Sequence, residues 1–340
     1  MTTTHPIEII GGGLAGLSLG LALRTENVPV RILEAGDYPR HRVCGEFIAG
    51  LPEQTQQRLG LTPFLQGAAP NREVRWYVRD RAARDQRLPD MAPGISRWTL
   101  DARLARAFVS AGGDLQTGRR FGDHRDVPGR IFATGRRRAK SRWLGLKIHA
   151  IDLPVARDLE LHLGEEAYVG LARIEDSRVN ICGLFRRRAL SATGCEILFK
   201  YLDAAGLTSL SDRLRAADLD SSSFSAVAAV DFDPRIPSTG DVRVGDALAM
   251  IPPFTGHGMA MAFQSAELAL DPLIAFARGE ISWPKAQSRI HAAQHRRFRL
   301  RLASASALHS FLHQPSRQRW LGALNHIRLL PLRPLYAVLH

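Results

Sequence analysis

The chain has 340 residues, of which 45% are hydrophobic and 23% are charged, and these values exclude a disordered or fibrous protein. Its length favours two closely joined domains over a single core. The formal net charge of +13 comes almost entirely from arginines that are spread along the whole chain. Because no nucleic-acid-binding module accompanies this charge, we do not expect a nucleic-acid partner.

The cysteine pattern and the N-terminus bear on the compartment. Cys44, Cys182 and Cys195 are an odd number and form no CxxC pair, so the sequence indicates neither a disulfide framework nor a metal site. The N-terminus leads directly into an apolar strand, without the basic and apolar leader of an export signal. No run of apolar residues is long enough to span a bilayer. We therefore expect a cytoplasmic protein.

The first predicted elements form a βαβ unit with a glycine-rich turn. They are a strand over 6–10, a helix over 14–23 and a strand over 29–34. The turn has the spacing Gly11-x-Gly13-x-x-Gly16, whose glycines permit a tight turn, close approach to a pyrophosphate and close packing of helix on sheet. The helix N-terminus, which contains Leu14 and Ala15, offers unpaired N–H groups and a positive dipole end to phosphates.

The second strand ends at Glu34, 18 residues after the last glycine of the turn. A carboxylate at this point can accept hydrogen bonds from both ribose hydroxyls and would repel the 2′-phosphate of NADP. Ala35, directly after it, is included in the predicted contact. The sequence therefore predicts a dinucleotide site.

The middle of the chain combines the signals of two kinds of sheet. The predicted elements are, in order, weak strands near 73–78 and 87–88, a helix over 99–111 and a strand over 130–135. This last strand ends at Thr134-Gly135. Short alternating runs then follow between 149 and 185, which predicts an antiparallel sheet covered on one face. Helical patterns occupy 194–217.

A second glycine-rich turn follows the last predicted core strand and leads into an apolar helix over 258–277. Gly245 and Asp246 end the strand, and the aspartate can bond a ribityl hydroxyl. The helix start can direct amides at the flavin edge where negative charge accumulates on reduction. The predicted contacts in the turn are Pro253, Gly256, His257, Gly258 and Met259. An NAD dehydrogenase has no need for this second site, so the predicted cofactor is FAD.

Strands of one parallel sheet thus occur near both ends of the chain, with the antiparallel insert between them. We predict an α/β fold: a discontinuous Rossmann-like FAD-binding domain, an inserted antiparallel β-sheet substrate domain and a C-terminal helical tail. The predicted boundaries are 1–70, 97–148 and 237–284 for the FAD-binding domain, 71–96 and 149–236 for the substrate domain, and 285–340 for the tail.

The tail carries basic amphipathic patterns, in which Arg296 and Arg297 alternate with apolar residues such as Phe298 and Leu302. Such a helix can lie on an anionic lipid surface and deliver an apolar substrate. It can also pack over the substrate domain with a solvated basic face. The sequence favours the packed helix and leaves a peripheral membrane contact open.

The chain resembles the geranylgeranyl reductase branch of a flavoprotein superfamily. That superfamily also contains para-hydroxybenzoate-hydroxylase-like monooxygenases and flavin-dependent halogenases. The resemblance is carried by the glycine fingerprint with Glu34, the run Pro39 to Phe47, the strand end Ala133 to Arg136, and Gly245-Asp246 with its turn. It implies that Arg42 lies near the flavin and its adenosine half. It also implies that the turn Cys44-Gly45-Glu46 faces the isoalloxazine and that Arg97 reaches the phosphate or ribityl part of FAD.

The chain departs from that superfamily at three points. Thr134 stands where related enzymes usually have the aspartate of an Asp-Gly pair. The halogenase signature Trp-x-Trp-x-Ile-Pro is absent, which disfavours halogenation. Of the Tyr-x-Trp-x-Phe-Pro stretch of lipid-reducing members, only Tyr168 is kept, so isoprenoid reduction lacks support.

The sequence does not single out a catalytic acid or base. The side chains that could serve are His149, Tyr168, His162 and His257. His257 is the best placed of them, because it lies inside the predicted flavin turn.

Together these observations favour an FAD-dependent monooxygenase that acts on a hydrophobic or aromatic small molecule. In the expected cycle NAD(P)H reduces FAD, and O₂ is captured as a flavin C4a-hydroperoxide that transfers oxygen to the substrate. Since no second glycine fingerprint is present, NAD(P)H is expected to visit only transiently. The alternatives are a flavin-dependent C=C reductase of the geranylgeranyl reductase type and a flavin-binding protein without turnover.

Overall fold

The structure is a computed structural model that describes residues 5–122, 127–136, 141–230, 232, 235–252 and 256–312. The strands are β1 Ile7–Ile10, β2 Val30–Leu33, β3 Ala69–Val78, β4 Arg81–Gly94, β5 Asp114–Gln116, β6 Arg130–Phe132, β7 Trp143–Ile151, β8 Leu159–Gly164, β9 Ala167–Arg173, β10 Arg178–Arg186, β11 Asp218–Val230 and β12 Val242–Arg243. The helices are α1 Leu14–Thr25, α2 Glu53–Arg58, α3 Arg97–Ser110, α4 Glu196–Ala204, α5 Thr208–Arg215, α6 Gly258–Ala277 and α7 Trp283–Leu312.

The first sheet is parallel and has five strands in the order β12-β6-β1-β2-β5. At its centre Ile9 pairs with Ile32 of β2 and with Ile131 of β6, and all three side chains are buried. Strands β1 and β2 are apolar at three of their four positions, and the exceptions are Glu8 and Arg31. The α/β fold and the discontinuous parallel sheet are confirmed.

The second sheet has seven strands in the order β11-β7-β10-β9-β8-β3-β4. Its pairs are antiparallel except for β3 and β8, which run parallel with Val74 opposite Leu159. The inserted sheet predicted from the sequence is present, and the parallel pairing of β3 with β8 makes it mixed. The chain leaves this sheet after β4, passes through the parallel sheet, and returns in the direction that places β8 alongside β3. The alternation of apolar and polar residues along one strand does not indicate the direction of the neighbouring strand.

The two faces of the second sheet have different neighbours. On β10, Val179 and Ile181 point to one face and pack with Leu202 and other side chains of α4 and α5. Leu184 points to the opposite face, in a cluster that includes Phe47 and Met250 from the segments flanking the parallel sheet. The second face is therefore the one turned toward the nucleotide-binding half. Strand β7 begins at Trp143, before the predicted boundary at 149, because its first residues lack clear alternation.

The C-terminal part of the described chain is the long helix α7. Its Phe298 and Leu302 are buried in a cluster with Leu248 and Met261, so these apolar side chains are turned inward, as expected for a packed helix. The predicted tail beyond 312 lies outside the described residues. Among the described helices, none combines the length and apolar character that crossing a bilayer requires.

Candidate functional site

The first glycine turn connects β1 to α1 and is closely packed. Gly11 has a φ of +110°, and a Cβ there would collide with the Ala133 carbonyl, while a Cβ on Gly16 would collide with the Gly11 carbonyl. Gly13 is the N-cap of α1 and makes no side-chain capping bond. Its open side faces the guanidinium of Arg97, 3.8 Å from the position of a Cβ. The first-turn N–H groups of α1 thus lack a side-chain cap at Gly13, and the Arg97 guanidinium lies near the start of the helix.

Glu34 directly follows β2 and is 5% exposed. Its carboxylate accepts hydrogen bonds from the Gly12 N–H at 2.6 Å, the Gly36 N–H at 3.0 Å and the Arg40 guanidinium at 2.9 Å. The Tyr38 hydroxyl donates to the Gly12 carbonyl. The carboxylate thus lies at the glycine turn. The sequence analysis did not identify Tyr38 and Arg40, which close this end of the site.

Two arginines share one buried carboxylate. Arg97 donates two hydrogen bonds to Asp101, both of 2.7 Å, and Arg42 donates one of 3.1 Å. Asp101 is fully buried, and among the described residues Arg42 Nη2 has no hydrogen-bond partner. Burial and the neighbouring Arg97 lower the pKa of Arg42. Although burial alone would lower it, the charge and hydrogen bonds of Asp101 raise the pKa of Arg97. Arg42 Nη2 also lies 3.9 Å from the Glu34 carboxylate, so Arg42 connects the two carboxylates.

Asp101 was missed as a site residue, although its signal was present. It lies four residues after Arg97 in the Arg-x-x-Leu-Asp pattern, the spacing at which side chains meet on one helix face. Its bond to Arg42, however, joins residues 59 apart in the sequence, and only the folded chain shows it.

The second glycine turn meets the first. Gly245 has a φ of +61°, and a Cβ there would lie 3.0 Å from the Cβ of Ala15 in α1. Its N–H donates to Ser265 of α6 at 2.7 Å. Asp246 follows in a short 3-10 helix, Gly245–Ala247, rather than at a strand end. The starts of the two glycine-led segments are therefore adjacent in space, although they are far apart in sequence.

The side chain of Asp246 is exposed to solvent, although protein groups surround it on several sides. Burial raises its pKa, and the charges of Arg97, Arg136 and Arg42 act in the opposite direction. A carboxylate that is accessible to water and also surrounded by protein lies in an open cleft. The arginines of the first turn thus act on the carboxylate of the second.

The N-terminus of α6 completes this cleft. Gly256 has a φ of +72°, and its Cβ position lies 2.5 Å from the ring of Phe47. Gly258 opens onto free space, whereas His257 and Met259 are buried, so their backbone is what they can offer a ligand. The predicted contact Pro253 lies outside the described residues.

The remaining predicted residues surround the same cleft. Thr134 and Gly135 follow β6, and Gly135 has a φ of +74° with open space on its Cβ side. Ala35 is exposed directly after Glu34. Cys44 and Gly45 precede Phe47, and burial raises the pKa of the Cys44 thiol. The cleft therefore lies at the carboxyl ends of β1, β2 and β6, where the strand order reverses, which is the usual binding place in open parallel sheets.

Three of the four candidate acids and bases lie on strands of the second sheet, and they point to its two faces. His149 and Tyr168 are buried on strands β7 and β9, and their side chains point to the face turned toward the cleft. His162 points to the opposite face, where it stacks on Tyr77 at 4.2 Å and contacts Glu160 at 3.1 Å. His162 is therefore outside the cleft.

Comparison with known proteins identifies the fold. No protein-family model matches the chain, and no curated protein matches its sequence. The crystal structure of Klebsiella pneumoniae HpxO with FAD and uric acid is similar, at 16% identity over 99% of this chain and 96% of that one, with a TM-score of 0.76. Pseudomonas aeruginosa PqsL, a probable FAD-dependent monooxygenase solved with 2-aminobenzoylacetate, is 16% identical over 94% of this chain and 99% of its own, with a TM-score of 0.74.

A flavoprotein/dehydrogenase from Cytophaga hutchinsonii is 15% identical over 98% of this chain and 96% of that one, with a TM-score of 0.70. The chain therefore has the fold of HpxO and PqsL, and the fold implied by the sequence resemblance is confirmed.

Proposed function

We propose that this protein binds FAD and is an FAD-dependent monooxygenase that hydroxylates a hydrophobic or aromatic small molecule. The observation that carries the proposal is the meeting of the two glycine turns, at Gly13 and Gly245, beside the arginines that share Asp101. One N–H-rich helix start with cationic side chains suits a pyrophosphate, and a second suits a flavin edge. The fold of HpxO and PqsL supports the same conclusion.

The residues present fit FAD. Space is open at Gly135 and Gly258, and Arg42 Nη2 has no hydrogen-bond partner among the described residues. The proposed pyrophosphate contacts are Gly11, Gly13, Leu14, Ala15, Gly16, Arg42 and Arg97. Those proposed for the ribose are Glu34 and Ala35, and for the ribityl chain Gly245 and Asp246. Those proposed for the flavin ring are Cys44, Gly45, Thr134, Gly135, Pro253, Gly256, His257, Gly258 and Met259.

The face of the second sheet that is turned toward the cleft supports an aromatic or hydrophobic substrate. It carries Trp76, Tyr168 and Leu184 next to Phe47, which itself contacts the start of α6. Aromatic side chains pack favourably against flat ligands and exclude water. FAD, when bound, supplies the oxygen chemistry, and this face supplies a dry surface that holds the substrate.

NAD(P)H is the proposed reductant. Beyond the fingerprint that begins at Gly11, the sequence contains no second glycine fingerprint for another dinucleotide. In this proposal NAD(P)H therefore binds transiently, and the protein is located in the cytoplasm, where NAD(P)H is present.

The experiment has two steps. The purified protein is first examined for visible flavin absorption, and Asp246→Asn is expected to weaken FAD binding about tenfold, since it removes a charged acceptor. The loaded protein is then given NAD(P)H, isotopically labelled O₂ and a panel of aromatic acids, ketones and heterocycles. Label in the product supports the monooxygenase. Oxygen-independent reduction of a polyprenyl alkene would support the C=C reductase instead, and a protein that stays colourless with excess FAD would refute both.

A further inference from the structure

A cluster of ionisable side chains lies beneath the segment Cys44 to Glu46. Glu46, Lys147 and His149 are all fully buried, and they come from this segment and from strand β7. The Glu46 carboxylate is 2.6 Å from His149 Nε2 and 3.5 Å from Lys147 Nζ. Charged groups are rarely buried unless they are paired, so this arrangement has to be maintained by specific contacts.

Glu46 connects two parts of the proposed cofactor site. Its carboxylate accepts a hydrogen bond from the N–H of Arg97 at 3.0 Å, and its backbone carbonyl accepts one from Ile95 at 2.9 Å. Arg97 is the first residue of α3, the helix from which the Arg97 and Asp101 side chains project. One residue therefore ties the segment that carries Cys44 and Gly45 to the helix that carries the arginine–carboxylate pair.

The backbone of Glu46 shows that this connection is specific. Its φ is +56°, a left-handed conformation that is unfavourable for residues other than glycine, asparagine and aspartate. Such conformations persist where the surrounding contacts hold them, and they are concentrated at functional sites. On the other side of the segment, Asn180 donates to the Cys44 carbonyl at 2.9 Å. The segment is thus held from the sheet at both Cys44 and Glu46.

The cluster also reaches toward the surface. Lys147 Nζ lies 3.1 Å from Nδ1 of His41, and His41 stacks at 4.5 Å on Trp98, which is exposed. Burial lowers the pKa of Lys147, and the charge of Glu46 opposes that effect. Glu46 is thus the anionic partner of Lys147 within the cluster, at 3.5 Å.

A second buried glutamate provides a comparison. Glu175 accepts hydrogen bonds from the N–H of Ser96 at 2.7 Å and from its hydroxyl, so it also binds the start of α3. Glu175 lies next to β9, and in the described chain it makes no hydrogen bond to the segment Cys44 to Glu46. It stabilises the helix without connecting the two parts of the site.

We propose that Glu46, held by Lys147 and His149, is a positioning residue of the cofactor site that sets the Cys44–Gly45 segment against Arg97. This inference rests on the proposed binding of FAD. In this inference the buried Glu46 carboxylate fixes where the proposed flavin-ring contacts lie relative to the proposed pyrophosphate contacts.

The test uses the full-length protein with Glu46→Gln and, as the matched control, Glu175→Gln. Glu46→Gln is expected to raise the FAD dissociation constant about tenfold, to change the visible circular dichroism of bound flavin and to shift its midpoint potential. Glu175→Gln is expected to lower the midpoint temperature of unfolding. It should leave the FAD dissociation constant, the visible circular dichroism and the flavin midpoint potential unchanged. Equal effects of the two variants on the bound flavin would overturn the positioning role.

A double variant tests the partnership of the charges. Glu46→Gln with Lys147→Met removes both charges, and we expect its FAD dissociation constant to lie closer to that of the parent than that of Glu46→Gln alone. Additive losses would overturn the pairing. If Glu46→Gln does not fold, Lys147→Met alone is expected to change the visible circular dichroism, and an unchanged spectrum would overturn the inference. A parent protein that binds no FAD would instead refute the proposed function.

Discussion

Two buried carboxylate–histidine pairs occupy opposite faces of the second sheet. Glu46 meets His149 at 2.6 Å on the face turned toward the cleft, and Glu160 meets His162 at 3.1 Å on the other face. Both glutamates are nearly inaccessible to water. The chemical groups are the same, and their surroundings are different.

The surroundings of Glu160 are those of a structural ion pair. It accepts hydrogen bonds from Arg213 at 2.7 Å and from the Ala156 N–H at 2.6 Å, which connect β8 to α5 and to the preceding loop. Although burial would raise it, hydrogen bonds from His162 and Arg213 lower the pKa of Glu160 to about 2. Glu46 instead connects elements that line the proposed cofactor site. The comparison teaches that the position of such a pair in the fold, more than its chemistry, indicates its role.

The largest effect is expected from Glu160→Ala. It leaves the Arg213 guanidinium and the Ala156 N–H without their buried acceptor, so the free energy of unfolding should fall by about 3–5 kcal/mol. FAD affinity of the folded protein should stay unchanged. Urea unfolding and FAD titration measure the two quantities. Glu165→Ala, whose side chain is 57% exposed, is the control and should change neither. A loss of FAD affinity on Glu160→Ala would break the contrast between the two faces.

The cluster around His41 and the cluster around Glu160 should titrate in different pH ranges. Burial, followed by the charge of Lys147, lowers the pKa of His41 from 6.5 to about 4, and the pKa of Glu160 is lowered from 4.5 to about 2. When folding lowers the pKa of a group, the unfolded state binds more protons than the folded state between the two pKa values. The free energy of unfolding therefore decreases as the pH falls through that range. The charged or titratable groups around His41 are Lys147, His149, Glu46 and Asp220.

The corresponding measurement is the free energy of unfolding as a function of pH. We expect His41→Phe to flatten the curve between about pH 6.5 and 4, and Glu160→Gln to flatten it between about 4.5 and 2. If both variants flatten the same range, the two clusters do not titrate separately.

The smallest effect is expected from substituting either His149 or His162 alone. His149→Ala removes one partner of Glu46 and should weaken FAD binding about fivefold, corresponding to the ~1 kcal/mol of a typical hydrogen bond. His162→Ala removes a stacking partner of Tyr77 and should alter stability by a similar amount without changing FAD affinity. Isothermal titration of both variants measures the difference. Equal affinities would contradict the distinction between the faces.

The sequence by itself determined the features that depend on a few neighbouring residues. The spacing of Gly11, Gly13 and Gly16 predicts a tight glycine turn, and the structure shows one with no room for a side chain at Gly11 or Gly16. The strand, helix and strand around it were predicted within a few residues, because burial on both faces and helix periodicity are local patterns. The second glycine turn and the apolar helix α6 were recognisable for the same reason.

Only the tertiary structure decided the long-range pairings. The parallel alignment of β3 with β8, the bond of Arg42 to Asp101 and the contact of Glu46 with His149 join segments 59 or more residues apart. A strand or a charged residue carries the same local pattern whichever partner it meets. Its partner is set by how the chain crosses between the two sheets, and that path is a property of the whole fold.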